Sequence, residues 1–189
     1  MFIQTETTPN PATVKFIPGQ SILAQGTIEF SDVGQAEQSP LAQRLFSLQG
    51  VTRVFLAKDF VSVSKADDTD WSMLKPMVLA ALMEHLSMGQ PIILESKSEI
   101  VNLDLDDCKD EISKQIEVLL NERVRPMVAM DGGDIVFDRF EDGIVYLQMK
   151  GACSGCPSSA ATLKMGVENM LKHYVPEVIE VRPVSDNQG

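Results

Sequence analysis

The chain has 189 residues, 44% hydrophobic and 23% charged, with a net charge of -11 and a pI near 4.6. That length suits two small domains, and the charge argues against general nucleic-acid binding, because neutralising phosphates needs clustered Lys and Arg and the sixteen present form no patch. No apolar run approaches the roughly 20 residues of a membrane span, so neither nucleic acid nor a membrane is expected as a partner.

The first half opens with strand-like runs at Phe2 to Glu6, Thr13 to Ile17 and Thr27 to Phe30, separated by Pro9-Asn10-Pro11 and Pro18-Gly19. An amphipathic segment follows from Pro40 to Leu48. Val51 to Ala57 and Phe60 to Ser64, parted by Lys58-Asp59, alternate apolar residues as a β-hairpin does. Asp70 is placed to cap a helix running to about Met88, with Trp71, Leu74, Val78, Leu82 and His85 on one face and Gly89 as its stop. The Met and Leu residues of this helix are expected in the core. Residues 1–89 thus read as one α+β domain. Between Gln90 and Asp110 six acids stand against two bases, so 90–106 is expected to be an extended acidic linker.

The second domain, 107–184, reads as α-β-β-α-β. Its first helix is expected to be capped at Asp106 or Asp107, to bury Ile112, Ile116, Leu119 and Leu120, and to end near Pro126. Asp131-Gly132-Gly133-Asp134 is a turn into a hairpin, Ile135 to Arg139 and Ile144 to Lys150. A helix from Ser158 or Ser159 to about Tyr174 presents Ala160, Leu163, Val167, Met170 and Tyr174, and a last strand covers Val178 to Val184 before a polar tail, 185–189.

The chemistry concentrates in Gly151-Ala152-Cys153-Ser154-Gly155-Cys156-Pro157, between the hairpin and the helix. Gly151 and Gly155 let backbone amides approach sulfur, and the first turn of the following helix brings positive dipole character to Cys156. Both effects favour thiolate and ready the pair for metal or redox chemistry. A filler role in a tight turn explains neither the glycines nor the helix start. A dithiol-disulfide oxidoreductase would place Cys-x-x-Cys at a helix start, although a thioredoxin-type fold needs more strand and helix after its cysteines than remain here. A metal or cluster site wants four sulfur ligands, and two copies related by a two-fold axis supply them. Zinc and iron are not separated by an all-sulfur donor set.

Completion within one chain is not expected. Cys108 stands alone in sequence, His85 lies on a helix face in the first domain, and His173 falls near the far end of the helix that starts at the cysteines, ~20 Å or more away. With three cysteines and no disulfide framework, the chain suits a reducing compartment. Met1 to Glu6 has neither the basic nor the apolar region of a secretory signal, so a cytoplasmic (bacterial) protein or a matured organellar form is expected.

The stretch Arg125-Pro126, Asp131-Gly132-Gly133-Asp134, Gly151 to Ser159, Thr162-Leu163-Lys164 and Gly166-Val167-Glu168 resembles the NifU C-terminal domain of Nfu-type iron–sulfur scaffold and carrier proteins. Gln4 to Pro11, Lys15-Phe16 and Pro18-Gly19 resemble the N-terminal domain that accompanies it. The resemblance implies a non-enzymatic carrier that holds a 4Fe-4S cluster between the two subunits of a homodimer through Cys153 and Cys156 of each. It also implies that the cluster comes from upstream assembly proteins and passes to apo-protein clients, with the first domain serving partner recognition. Asp131 to Asp134 are expected to be structural, and Arg125 and Lys164 to offset cluster charge, contact a client or lie on a solvated surface.

Overall fold

The computed structural model describes residues 2–94, 111–154 and 157–184, the side chains of 157–160 and 162 excepted. Cys108, Cys156, the cap expected at Asp106 or Asp107 and the tail 185–189 lie outside the described residues, as does the acidic segment 95–110. The chain divides into two compact units, Met1–Lys97 and Ser98–Gly189, and the fold is α+β.

The first unit is a five-stranded antiparallel sheet of order β1-β2-β5-β4-β3, built from β1 (Gln4–Thr7), β2 (Thr13–Ile17), β3 (Ile28–Phe30), β4 (Val51–Leu56) and β5 (Val61–Lys65). Register places one apolar row across it as Val14, Val63, Val54 and Phe30, and a second as Phe16, Val61, Leu56 and Ile28. Because alternate strand residues share a face, both rows face the helices α1 (Pro40–Phe46) and α2 (Trp71–Ser87), which add Leu41, Leu45, Leu74, Val78 and Leu82 to one core.

The caps follow the expected chemistry. The Asp70 carboxylate accepts from Ser72 N at 2.7 Å, and Gly89 leaves α2 at φ +62°. Ser39, fully buried, accepts from Ala42 N at 3.1 Å and donates from Oγ to the Ile92 carbonyl at 2.6 Å. Residues 90–94, read from sequence as the start of the linker, continue this unit: Ile92 and Ile93 pack on its core and Leu94 N donates to Gln38 O. On α2 the leucines at 74, 82 and 86 are buried, whereas Met73, Met77 and Met83, and Met88 just past its end, are exposed, so the expectation of core methionines holds for none of these four. Leucine takes the sheet-facing stripe, and the methionines fall on the positions between.

The second unit has a three-stranded sheet of order β6-β7-β8, from β6 (Gly133–Glu141), β7 (Ile144–Gly151) and β8 (Glu180–Val184). Asp142 and Gly143 both take positive φ and close the β6–β7 hairpin as a two-residue turn. β8 runs parallel to β7, so the chain must cross over between them, and helix α5 (Pro157–Tyr174) makes that crossing. Its buried stripe is Val167 and Leu171, continued by Val175 beyond its end; Tyr174, expected on this face, is 42% exposed.

The helix before the sheet departs from expectation. It does not end near Pro126: α3 (Glu111–Leu119) passes through a π-helical turn, Leu120–Val124, into α4 (Arg125–Met130). Arg125 N donates to Leu120 O, five residues back. That wider turn relieves the clash of the Pro126 ring with the preceding turn, so the helix continues past the proline.

Candidate metal centre

Cys153 lies two residues beyond β7, at the carboxyl edge of the sheet where the crossover to α5 begins. Edges of this kind gather ligand sites, because strand ends and helix starts leave backbone groups to satisfy. Its side chain, 6% exposed, belongs to the second core, the cluster that includes Ile135, Val145 and Val167. Gly151 turns the chain at φ +64°, and both Ser154 N and Ser154 Oγ donate to the Gly151 carbonyl, at 3.1 and 2.9 Å.

The wall opposite the sulfur is Gly133, paired across the strands with Gly151. A Cβ there would run into Cys153 Sγ and would lie 2.8 Å from Lys150 O and 2.9 Å from Cys153 N. Only glycine fits without backbone movement. Gly132, at φ +80°, accepts from Ala152 N at 3.2 Å, which binds the Asp131-Gly132-Gly133 turn to the cysteine loop.

Asp134 then anchors the turn. Its carboxylate, 5% exposed, accepts Arg125 Nε at 2.8 Å and Arg125 Nη2 at 2.7 Å, and its Oδ1 also accepts Ile135 N at 2.8 Å. This bidentate pairing raises the Arg125 pKa above its usual value, with burial opposing. Arg125 is therefore a structural clasp between α4 and β6. The double glycine flanked by acids was the visible sign of it; the close approach to sulfur is a tertiary fact. Lys164 lies 3.4 Å from Glu180, tying α5 to β8.

The remaining candidates do not join Cys153. His85 is buried in the first core, its Nε2 3.2 Å from Pro91 O. His173 packs edge-on against Tyr174 at the opposite end of α5, ~25 Å of helix from Pro157. Among the described residues no three His, Cys, Asp or Glu side chains converge as a metal site. Cys156 falls outside the described residues, immediately before the first turn of α5. What the described part offers is one buried sulfur seated against Gly133, on the loop that leads into α5.

Comparison with known proteins agrees with this division. The family described as "Scaffold protein Nfu/NifU N terminal" matches residues 3–89, and the "NifU-like domain" matches residues 116–182. NifU-like protein 4, mitochondrial, of Arabidopsis thaliana is 47% identical over 100% of this chain and 68% of its own length. The NFU1 iron-sulfur cluster scaffold homolog, mitochondrial, of Drosophila persimilis is 47% identical over 99% of this chain and 66% of its own, and that of Homo sapiens 44% identical over 100% and 74%. The chain thus spans about two thirds of the length of these relatives.

Their names overturn the expectation of a cytoplasmic, bacterial protein, and of the two locations considered they favour the organellar form. Composition did not separate the two, because a reducing matrix and a reducing cytosol place the same demands on an acidic globular chain with few cysteines. With both domains matched in order and relatives identical at nearly half of the aligned positions, the chain belongs to the Nfu/NifU-like scaffold family.

Proposed function

We propose that this chain is an iron–sulfur cluster scaffold and carrier: it receives a 4Fe-4S cluster, holds it between two subunits through Cys153 and Cys156 of each, and passes it to apo-proteins without catalytic turnover. The relatives' description as iron–sulfur cluster scaffold homologues supports the class of function. The observation that carries the site is Cys153 seated against Gly133 at the carboxyl edge of the sheet, on the loop that leads into α5. One copy contributes two thiolates where a cluster needs four, which is why a second copy is required. Sharing leaves the cluster at a boundary, where thiolates of a client can replace those of the carrier one at a time. The first unit, with its own core and the exposed methionines of α2, is assigned to partner recognition.

Anaerobic reconstitution with ferrous iron and sulfide should give a brown dimer with about one 4Fe-4S cluster, identified by absorption and Mössbauer spectra, and Cys153→Ser or Cys156→Ser should abolish it. A doubly substituted protein that still took up a full cluster would overturn the site. Zinc in place of iron after anaerobic purification would make the protein a structural zinc dimer, and disulfide reductase turnover by a metal-free monomer would make it an oxidoreductase. Against the latter, only α5 and β8 follow the motif among the described residues.

A further inference from the structure

We infer that the outer face of α4, carried by Pro126, Met127 and Met130, is the surface on which the second copy docks when a cluster is shared. The inference rests on the shared-cluster reading above. Every exposed side chain of α4 is apolar: Met127 is 61% and Met130 74% exposed, Pro126 is exposed, Val128 points into the core, and Arg125 is engaged by Asp134. Exposed methionines adapt their shape to a partner at little cost.

The position of this face is set by the cysteine site. Met130 is three residues from Gly133, so their Cα atoms lie within ~11 Å, and Gly133 is the wall against Cys153 Sγ. Two backbone bonds tie the path between them, Gly132 N donating to Ala129 O at 3.1 Å and Gly132 O accepting Ala152 N at 3.2 Å. A second copy that brings thiolates to a cluster at Cys153 therefore comes within reach of the turn that follows Met130. Charge points the same way, since two chains of net charge -11 repel and the stretch from Pro126 to Met130 carries no acid and lies between Arg125 and Asp131.

Area explains why docking is conditional. Three partly exposed side chains from each copy bury on the order of a few hundred Å² in total, against ~1,200 Å² for the smallest stable complexes. The face alone does not hold a dimer; the face plus iron–thiolate bonds does. The methionines of α2 are exposed as well, but they belong to the first unit, whereas α4 adjoins the turn that seats Cys153.

The test compares wild type with Met127→Glu/Met130→Glu and with the milder Met127→Ser/Met130→Ser, all keeping both cysteines. After anaerobic reconstitution at equal concentration, native mass spectrometry should show the Glu pair forming cluster-bridged dimer at least five-fold less than wild type and the Ser pair less by a smaller factor. Met127→Leu/Met130→Leu should match wild type, and so should Met73→Glu on α2, which makes a similar charge change on another exposed methionine. Amide exchange across 126–131 should slow on cluster loading in the wild type, a readout that needs no variant to fold. Bridged dimer at wild-type yield in both the Glu and Ser pairs, or exchange unchanged by loading, overturns the docking surface while leaving the shared cluster intact. A wild type that holds its cluster as a monomer overturns the shared-cluster reading itself, and this inference with it.

Discussion

Gly133 shows how a single missing atom shapes the candidate site. Its lack of a Cβ lets the cysteine loop close onto the first residue of β6 and keeps Cys153 Sγ inside the second core. Gly133→Ala forces a carbon against sulfur and against two backbone atoms, so the loop has to move. We expect a loss of about 1–3 kcal/mol in urea denaturation, together with reduced cluster uptake even though both cysteines remain. Unchanged cluster uptake by a folded Gly133→Ala protein would mean that the seat of Cys153 does not matter for binding. Asp131-Gly132-Gly133-Asp134 was visible in the sequence as a structural turn. Which glycine met the sulfur was not, because that contact joins residues twenty apart in the chain.

At the level of elements, the clasp between α4 and β6 does for the turn what register does for strands. Asp134 is nearly buried and is held by two guanidinium nitrogens of Arg125, whose own side chain is 36% exposed. Arg125→Ala leaves that carboxylate without its charge partner and should cost roughly 2–3 kcal/mol by chemical denaturation. Arg125→Lys should recover only part, since an ammonium does not reproduce the planar fork. A neutral Arg125→Ala would show that water replaces the guanidinium freely. The sequence expectation of a surface or cluster-facing arginine missed this role because nothing local links positions 125 and 134. The π-helical turn before Pro126 was missed for a related reason: proline read as a stop, whereas the Arg125 N to Leu120 O bond widens the helix enough for it to continue to Met130. The strands and α2 were more legible, because alternation of apolar residues and a capping Asp70 are local signals.

For the whole molecule, two separate cores predict two separate unfolding transitions. Trp71 is the single tryptophan and packs against the first core, so its fluorescence follows the first unit, while far-ultraviolet circular dichroism follows both. The two probes should give non-coincident urea curves, and one superimposable curve would refute independent units. pH separates them further. Burial lowers the His85 pKa below 6.5, with Arg44 adding to the shift and the Pro91 carbonyl opposing it. As pH falls through about 6.5 the unfolded chain binds a proton that the folded first unit resists, so its stability falls on acidification. Between pH 7.5 and 5.5 the fluorescence midpoint should therefore drop, and should drop less in His85→Gln. An equal drop in that variant would assign the effect to other groups.

The sequence by itself determined the two-part organisation, the order of elements in each part, the caps and stops of α2, and the cysteine pair at a strand-to-helix junction. These rest on periodicity, capping and turn chemistry within a few residues. Tertiary structure decided the rest: that Gly133 is the wall of Cys153, that Arg125 belongs to Asp134, that residues 90–94 complete the first unit, and that methionines of α2 and α4 face outward. Each of these joins residues distant in the chain, or turns on which side of a helix meets a sheet, and no local pattern encodes that choice.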